Sequence, residues 1–131
     1  MKKEAQEKYV ELQMLAQHIK NGQMQIEALE EQMHELLKTK QSIKEIMKGR
    51  KEGFMPIARG VFVKTKIESD QEILVNVGAN VAVKKDIKES LDLVEKQIDE
   101  IRDYQQELLA LVQEHNVNAK KIETELKELM K

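Results

Sequence analysis

The sequence predicts a mostly α-helical fold with a small β region, in which two long helices form an antiparallel coiled-coil hairpin and two short β-hairpins join them. Two observations carry this prediction. In the first and last thirds of the chain, apolar residues recur at alternating steps of three and four, which is the spacing of a coiled-coil seam. In the middle third the period changes to two among β-branched residues, which is typical of short strands.

The first helix is predicted over residues 3–48. It precedes a basic segment with two glycines, residues 48–53, and a glycine just beyond a helix commonly forms its C-terminal cap. The predicted seam of this helix keeps the alternating spacing throughout, and its members are Leu12, Leu15, Ile19, Gly22, Ile26, Leu29, Met33, Leu36, Lys40, Ile43 and Met47.

Residues 54–84 are predicted to form the two β-hairpins, with a turn at residues 68–71 between them. The only proline, Pro56, lies at the entry to this region, where an edge strand or a turn tolerates it. Such small hairpins leave unpaired backbone groups along their edges, so we expect them to pair with other chains. The predicted assembly residues are the β-branched side chains Val61, Val63, Ile67, Ile73, Val75, Val77, Val81 and Val83.

The second helix is predicted over residues 86–131. Asp86 followed by Glu89 resembles a capping box in which aspartate takes the place of serine or threonine. The predicted seam of this helix has the same spacing, and its members are Ile87, Leu91, Val94, Ile98, Ile101, Gln105, Leu108, Val112, His115, Ala119, Ile122, Leu126 and Leu129.

The two seams fit each other when the chain folds back on itself. If Met47 meets Ile87, every other pair of facing positions is level, as far as Leu12 beside Ile122. Residues of one seam class then face the other class, as antiparallel coiled coils require. We therefore expect a single elongated domain over residues 1–131, with both termini at its open end.

In the same register, several seam positions in the half near the termini lack a large apolar side chain. Gly22 faces Val112, which predicts a hole, and His115 lies across from Ile19 and close to His18. Polar or missing knobs cost stability but fix register, which is the simpler interpretation. The alternative is that this half bends or splays to admit a partner.

The composition excludes several classes of function. Charged residues make up 35% of the chain and aromatics 3%, the net charge is −2, and cysteine is absent. Without a basic patch, nucleic acid is a poor candidate for the main partner. Without cysteine there is no disulfide and no thiolate ligand or nucleophile. The polar N-terminus and the lack of a long apolar run predict a cytoplasmic protein outside the membrane.

No catalytic or cofactor-binding pattern is found in the sequence. There is no glycine-rich phosphate loop, no defensible serine–histidine–aspartate set and no pair of carboxylates that are predicted to be buried together. His18 and His115 would supply two ligands, whereas a zinc site needs three or four. We therefore predict no catalytic residues, no metal site, no cofactor and no enzymatic activity.

The outward surface changes character along the predicted hairpin. Near the strands, outward positions are charged, as at Glu31 and Glu45, whereas toward the termini they include Val10 and Met14. Exposed apolar groups that cluster often mark an interaction surface, although single exposed apolar residues are common. The predicted contact residues at the open end are Tyr9, Val10, Leu12, Met14, Val117, Leu126, Leu129 and Met130.

The middle of the chain resembles one known family. Residues 56–64, Pro-Ile-Ala-Arg-Gly-Val-Phe-Val-Lys, and residues 73–85, which contain Val-Gly-Ala-Asn, are similar to the hairpins of alpha-class prefoldin subunits of archaeal type. Members of that family often carry Val-Gly-Ala-Gly at both hairpins. Here Ala58 and Asn80 depart from the pattern. Asparagine tolerates the left-handed conformation, and Ala58 replaces the first glycine of the pattern in the first hairpin.

The resemblance implies a function that the residues alone do not supply. It implies an ATP-independent chaperone subunit that assembles as two alpha-class and four beta-class prefoldin subunits. The open ends of the coiled coils would hold non-native client proteins and pass them to a group II chaperonin. The alternative is a structural coiled-coil scaffold or spacer with one fixed protein partner, whose outer surface would carry a regular heptad stripe for that partner.

Overall fold

The computed structural model describes residues 3–68 and 72–131, so most of the predicted turn at residues 68–71 lies outside the described residues. Two long helices flank two β-hairpins, as predicted. In chain order the elements are α1 (Lys3–Met47), β1 (Glu52–Ala58), β2 (Val61–Lys66), β3 (Ile73–Asn76), β4 (Ala82–Lys85) and α2 (Ile87–Leu129). The chain divides into two compact units, which are residues 1–33 with 100–131 (unit 1) and residues 34–99 (unit 2).

In unit 1, α1 and α2 pack side by side and antiparallel. The Lys8 ammonium lies 2.6 Å from the Glu125 carboxylate. Further along, the rings of His18 and His115 stack with their centroids 5.7 Å apart. Residue numbers rise along one helix as they fall along the other, in the register that the two seams predict.

The predicted seam positions of unit 1 are buried or half-buried, and the seam extends beyond them. On α2, Leu108, Val112, Ile122 and Leu126 are all buried. On α1 the seam continues toward the N-terminus past Leu12, because Ala5 is only 2% exposed. Sequence analysis missed this extension, since a single alanine carries little hydrophobic signal.

The predicted hole beside Gly22 is absent. A Cβ atom placed on Gly22 would lie only 2.6 Å from Cγ2 of Val112. The valine methyl group therefore occupies the space that a side chain at position 22 would need. Glycine lets the facing side chain approach the helix backbone closely, so this layer is tightly packed and the prediction of a hole was wrong.

Unit 2 contains the opposite ends of the two helices and both hairpins. Ile43, Ile87, Val94 and Ile98 are buried along its seam. Ser90 is only 1% exposed, and its hydroxyl donates a hydrogen bond to the backbone carbonyl oxygen of residue 86. A buried hydroxyl with a partner avoids the cost of an unsatisfied polar group.

Both helix ends that flank the strands are capped as predicted. Gly49 has a φ of 105°, and the backbone N–H groups of Gly49 and Arg50 donate to the carbonyl oxygens of Ile46 and Glu45. This is the Schellman arrangement, which requires a left-handed residue and therefore favours glycine. At the start of α2, the Asp86 carboxylate accepts a 2.7 Å hydrogen bond from the backbone N–H of Glu89.

The strands form two separate antiparallel two-stranded sheets, β1 with β2 and β3 with β4. The first hairpin begins at Glu52, two residues before the predicted start, and Pro56 lies within β1 rather than at its entry. The register shifts between Pro56 and Ala58, which is a bulge, and bulges and edges are where sheets accept proline. Ala58 pairs with Val61 directly after this irregularity.

The turn of the second hairpin uses three consecutive residues with positive φ, which are Gly78 (111°), Ala79 (51°) and Asn80 (60°). The Asn76 side-chain oxygen accepts a hydrogen bond from the Gly78 N–H. Asn80 adopts the left-handed conformation that sequence analysis attributed to it. The residue with an unfavourable conformation in this turn is Ala79, because alanine rarely visits the left-handed region.

Candidate functional site

The first β-hairpin carries apolar side chains on both of its faces. Cross-strand partners share a face, and Met55 pairs with Val63 on one face while Pro56 pairs with Phe62 on the other. Met55 and Val63 are 51% and 42% exposed, and Phe62 is 58% exposed. Phe54, which is 70% exposed, lies diagonally across from Phe62 on the second face. Both phenylalanines of the chain are thus exposed on the same face of this hairpin.

The second hairpin is one-sided. Ile73 and Val75 are half-buried, and they line a groove of about 520 Å³ together with helix residues that include Ile43 and Leu93. On the opposite face of the strand, Leu74 is 67% exposed. One face of this hairpin therefore borders the helices of unit 2, and the other is open.

The predicted assembly residues all lie in or directly beside the strands. Val61, Val63, Ile73, Val75 and Val83 lie within strands, whereas Ile67, Val77 and Val81 lie just outside them. These three residues still extend the hairpins through the backbone. The Ile67 N–H donates to the Lys51 carbonyl oxygen at 2.7 Å, and the Val77 N–H donates to the Val81 carbonyl oxygen at 3.0 Å.

Sequence analysis did not identify the exposed apolar side chains of β1. Phe54, Met55 and Ile57 are all more than half exposed, yet none of them was among the predicted assembly residues. The segment holds one β-branched residue and a proline, so its propensity signal is weak. Met55 and Ile57, the apolar residues on either side of Pro56, were the features of the sequence that could have indicated this surface.

The predicted contact residues of unit 1 fall into two groups. Five side chains are largely exposed, and these are Tyr9 (48%), Val10 (53%), Met14 (57%), Val117 (66%) and Met130 (63%). Leu126 is buried at 9%, and Leu12 and Leu129 are half-buried. These three leucines occupy seam positions, so they face the other helix and would reach a partner only if the helices parted.

Unit 1 also exposes apolar side chains that the prediction did not include. Tyr104, Leu109 and Leu111 are each about half exposed, at 49%, 49% and 47%, and Met24 is 59% exposed. Tyr104, Leu109 and Leu111 lie at the positions that flank the seam of α2. From the sequence alone, these three residues could belong to a wider buried face of the helix. Only the packing of the two helices shows that they are exposed to solvent.

An ion pair joins the two helices next to the chain termini. The Lys8 ammonium donates a 2.6 Å hydrogen bond to the Glu125 carboxylate. This hydrogen bond, reinforced by the opposite charges, raises the pKa of Lys8 above its ordinary value of 10.5. The same hydrogen bond lowers the pKa of Glu125 below its ordinary value of 4.5. Both side chains are partly exposed, so the pair contributes modestly to stability.

The two stacked histidines lie close together as predicted. Nδ1 of His115 is buried and has no hydrogen-bond partner. Within residues 3–68 and 72–131, no group of three His, Cys, Asp or Glu side chains is placed to hold a metal ion. In the same described ranges, no helix is both long enough and apolar enough to cross a membrane.

Comparison with known proteins identifies the family. The family model named Prefoldin, described as a prefoldin subunit, matches residues 15–131. A prefoldin subunit alpha of Archaeoglobus fulgidus is 28% identical over 95% of this chain and 92% of its own length. A prefoldin subunit alpha of Nitrosopumilus maritimus is 42% identical, over 47% of this chain and 43% of its own length.

The solved structures agree on the fold. A chain of filamentous PFD from Methanocaldococcus jannaschii, solved by cryo-EM, superposes with a TM-score of 0.74 and covers 86% of this chain and 95% of that chain, at 17% identity. That likeness supports the arrangement of two long helices around two antiparallel β-hairpins. Since the family model covers most of the chain, the protein belongs to the prefoldin family of chaperone subunits, and its relatives are archaeal alpha-class members.

Proposed function

We propose that this chain is the alpha-class subunit of an ATP-independent chaperone that holds non-native proteins in the cytoplasm and passes them to a group II chaperonin. The observation that carries the holding function is the set of exposed apolar side chains in unit 1. Val10, Met14, Met24 and Val117 are each more than half exposed. The intramolecular seam does not use them, so their apolar surface is available to a partner.

The hairpins are proposed as the assembly surface. An isolated two-stranded hairpin is only marginally stable in water. The first hairpin here is exposed to solvent on both faces, with Phe54 70% and Met55 51% exposed. Burial of this surface against other prefoldin subunits would supply the missing stability. We propose two alpha-class and four beta-class subunits, which is the stoichiometry that membership of the family suggests.

Transfer to a group II chaperonin rests on family membership alone. A transfer experiment tests this step. A labelled client protein is first bound to the subunit complex, and a group II chaperonin is then added without nucleotide. We expect the label to move from the subunit complex to the chaperonin.

The proposed holding function is tested with the assembled complex. The chain is co-expressed with a beta-class prefoldin subunit, and the mass of the complex is measured by native mass spectrometry. The same complex is then added to guanidinium-denatured citrate synthase on dilution, and light scattering reports aggregation. We expect suppression of aggregation at near-stoichiometric amounts without nucleotide. A complex that assembles but leaves aggregation unchanged contradicts the proposal.

The alternative, a structural scaffold with one fixed partner, makes a different prediction in this experiment. A scaffold would assemble equally well and would bind one partner but not unrelated denatured proteins. The exposed apolar side chains of unit 1 favour the chaperone. Tyr9 and Leu109 flank the seam on one side, Leu111 flanks it on the other, and Val10 and Val117 point outward, so no single regular stripe is offered to one docking helix.

A further inference from the structure

The first hairpin and the segment that leads into it hold a high concentration of positive charge. Residues 48–66 carry six basic side chains and one acidic side chain, which gives a net charge of +5. The whole chain has a net charge of −2, so the other residues together carry −7. Sequence analysis weighed the charge of the whole chain and did not identify this local excess.

The end of the first helix accounts for only part of this charge. Residues 48–51 hold three of the cations and follow the C-terminus of α1, where the helix dipole favours positive charge. The other three cations lie on the hairpin itself, at Arg59, Lys64 and Lys66. The effect of the dipole falls off within the last turn of a helix, so it gives no reason for these three.

Every charged side chain of β1 and β2 lies on one face of the hairpin. Successive residues of a strand point to opposite faces, and cross-strand partners share a face. We name this face the cationic face, and its members are Glu52, Phe54, Pro56, Phe62, Lys64 and Lys66. The opposite face, which we name the neutral face, carries no charge, and its members are Gly53, Met55, Val61, Val63 and Thr65.

On the cationic face, one carboxylate stands against two ammonium groups. The Glu52 carboxylate lies 3.6 Å from the Lys64 ammonium, and Glu52 is also the cross-strand partner of Lys66. Arg59 adds a third cation in the turn between β1 and β2, and all three cations are exposed. Since Glu52 balances the charge of Lys64, this part of the hairpin keeps a surplus of positive charge at Lys66 and Arg59.

The apolar part of the cationic face requires a cover that also accepts this charge. Phe54 and Phe62 are 70% and 58% exposed. A purely apolar partner would bury the two rings but would also remove water from the cations beside them, and burial of an uncompensated charge is costly. A second copy of the hairpin would bring a further net charge of +5 to the same place, and like charges repel. A surface that carries carboxylates around an apolar centre suits the rings and the cations together.

Taking the proposed assembly with beta-class subunits as given, we infer that an acidic surface of a beta-class subunit covers the cationic face, and that charge selects this partner over a second copy of the first hairpin. The surplus cations Arg59 and Lys66 attract the acidic partner, and the two phenylalanines are buried once it is in place. Charge complementarity acts mainly on the association rate and on partner choice, whereas apolar burial supplies most of the affinity. Lys64 contributes little, because Glu52 already balances its charge.

Single-stranded nucleic acid is the other anionic partner that suits cations and aromatic rings on a strand. It would leave the neutral face unexplained. Met55 and Val63 are 51% and 42% exposed on that face, which carries no cation. Neighbouring protein chains can cover both faces of one hairpin, so a protein partner accounts for both.

The test measures by stopped-flow fluorescence how fast the chain associates with a labelled beta-class subunit. Association of the wild type should be at least about tenfold slower in 500 mM than in 50 mM sodium chloride, because salt screens the attraction. The variant R59E/K66E lowers the net charge of residues 48–66 from +5 to +1. At the lower salt concentration, this variant should associate at least about tenfold more slowly than the wild type.

Two further variants separate the effect of charge from damage to the fold. R59Q/K66Q leaves the net charge of residues 48–66 at +3 and places no new carboxylate beside Glu52, so its association rate should fall between those of the wild type and R59E/K66E. K20E/K120E makes the same change of charge at two exposed positions of unit 1 and should associate within about twofold of the wild-type rate. Circular dichroism verifies that each variant retains its helices.

Self-association of the chain alone is the second measurement, and it should have the opposite dependence on salt. Sedimentation velocity gives the association constant. For the wild type it should rise at least about threefold from 50 mM to 500 mM sodium chloride, because screening weakens the repulsion between first hairpins. At the lower salt concentration, R59E/K66E should self-associate at least about threefold more strongly than the wild type.

The remaining outcomes overturn the inference in distinguishable ways. If neither salt nor R59E/K66E changes the association rate and the complex has its normal mass, the proposed assembly stands and the role of charge is removed. Equal slowing by K20E/K120E would show that the charge of the whole chain acts, and not the cationic face. If the chain binds a fluorescein-labelled uridine oligonucleotide, and R59E/K66E weakens this binding but not association with the beta-class subunit, the face belongs to nucleic acid. A wild-type chain that forms no complex with a beta-class subunit at either salt concentration removes the proposed assembly itself.

Discussion

Close packing at one glycine shows how the helix pair of unit 1 is held together. Gly22 allows Val112 to place a methyl group where a Cβ atom would otherwise lie, at 2.6 Å. In an isolated helix, alanine is more favourable than glycine by about 1 kcal/mol. Here the clash with a buried, β-branched side chain outweighs that gain, because overpacking typically costs about 1–3 kcal/mol.

We therefore expect Gly22→Ala to lower the free energy of unfolding by up to about 2 kcal/mol. The Val112→Ala variant should also be destabilising, since it removes buried methyl groups. The double variant should be more stable than the sum of the two effects by about 1 kcal/mol, because alanine at 112 makes room for the new Cβ. Chemical denaturation followed by circular dichroism measures all four proteins. Additive effects would contradict the close contact.

The ion pair near the termini gives a prediction about pH. The pKa of Glu125 is lowered by the hydrogen bond from Lys8, so its contribution to stability is present above the ordinary value of 4.5 and is lost as the pH falls through the lowered pKa. The pKa of Lys8 is raised, so its contribution is present below 10.5 and is lost as the pH rises through the raised pKa.

We expect the stability difference between the wild type and Glu125→Gln to be largest between the two ordinary values and to shrink at acidic pH. The difference should be small, because the pair is partly exposed, and it should decrease with added salt. Denaturation at about pH 3 and about pH 7 measures it. Glu128→Gln, whose carboxylate pairs only with an exposed lysine within the same helix end, is the matched control. An unchanged difference between the two pH values would contradict the assignment.

At the scale of elements, the first hairpin is the least self-sufficient part of the described chain. Neighbouring residues of β2 point to opposite faces, and both Phe62 and Val63 are well exposed, at 58% and 42%. A complex that covered only one face of this hairpin would leave the apolar side chains of the other face exposed to solvent. We therefore propose that neighbouring subunits cover both faces of this hairpin.

We expect Phe62→Ser and Val63→Ser each to lower the affinity for a beta-class subunit by about tenfold or more. Each substitution removes an apolar side chain from the interface proposed to form on assembly. Helical content of the free chain should be unchanged, because both side chains are largely exposed on a strand. Lys64→Ser on the face of Phe62 is the control. Its 3.6 Å ion pair with Glu52 is exposed and contributes little.

Native mass spectrometry of the co-expressed complexes measures the result. Loss of assembly in only one of the two variants would show that a single face of the hairpin is covered. Assembly of both variants at wild-type levels would move the interface elsewhere and would contradict the proposed role of the first hairpin.

At the scale of the whole molecule, the two units differ in what they leave uncovered. Unit 2 exposes apolar surface mainly on its strands, which suits assembly with subunits that offer strands of their own. Unit 1 exposes apolar surface on helices, at Met14, Met24 and Val117. We propose that these two apolar surfaces, which differ in secondary structure, serve assembly and client holding.

This separation predicts how the complex responds to salt. The exposed apolar side chains of unit 1 lie mostly in residues 9–26 and 104–119, which carry few charges. Holding of denatured citrate synthase should therefore change less than about twofold between about 50 mM and 500 mM sodium chloride. Aggregation suppression measured across this range tests it, with the mass of the complex measured at each concentration as a control for disassembly. A several-fold loss of holding by an intact complex would show that charged residues at the termini bind the client.

The sequence by itself determined the large features of the chain. The three–four spacing predicted most of the buried and half-buried side chains of α1 and α2, and the register followed because only one pairing aligns the two seams. The prediction was wrong for Met47, which is 42% exposed at the end of α1. The helix caps at Gly49 and Asp86 could also be predicted from the sequence. These signals are local and periodic, so they are present in the order of the residues.

Only the tertiary structure decided the close packing at Gly22, the extension of the seam to Ala5 and the start of the first strand at Glu52, with Pro56 inside it. Glycine and alanine have almost no hydrophobic signal, and their burial depends on what the other helix presents. A strand that contains proline has weak propensity and is formed by its partner β2. The exposure of Tyr104, Leu109 and Leu111 is likewise decided by the crossing of two helices, because a flanking position is buried or open according to the neighbour beside it.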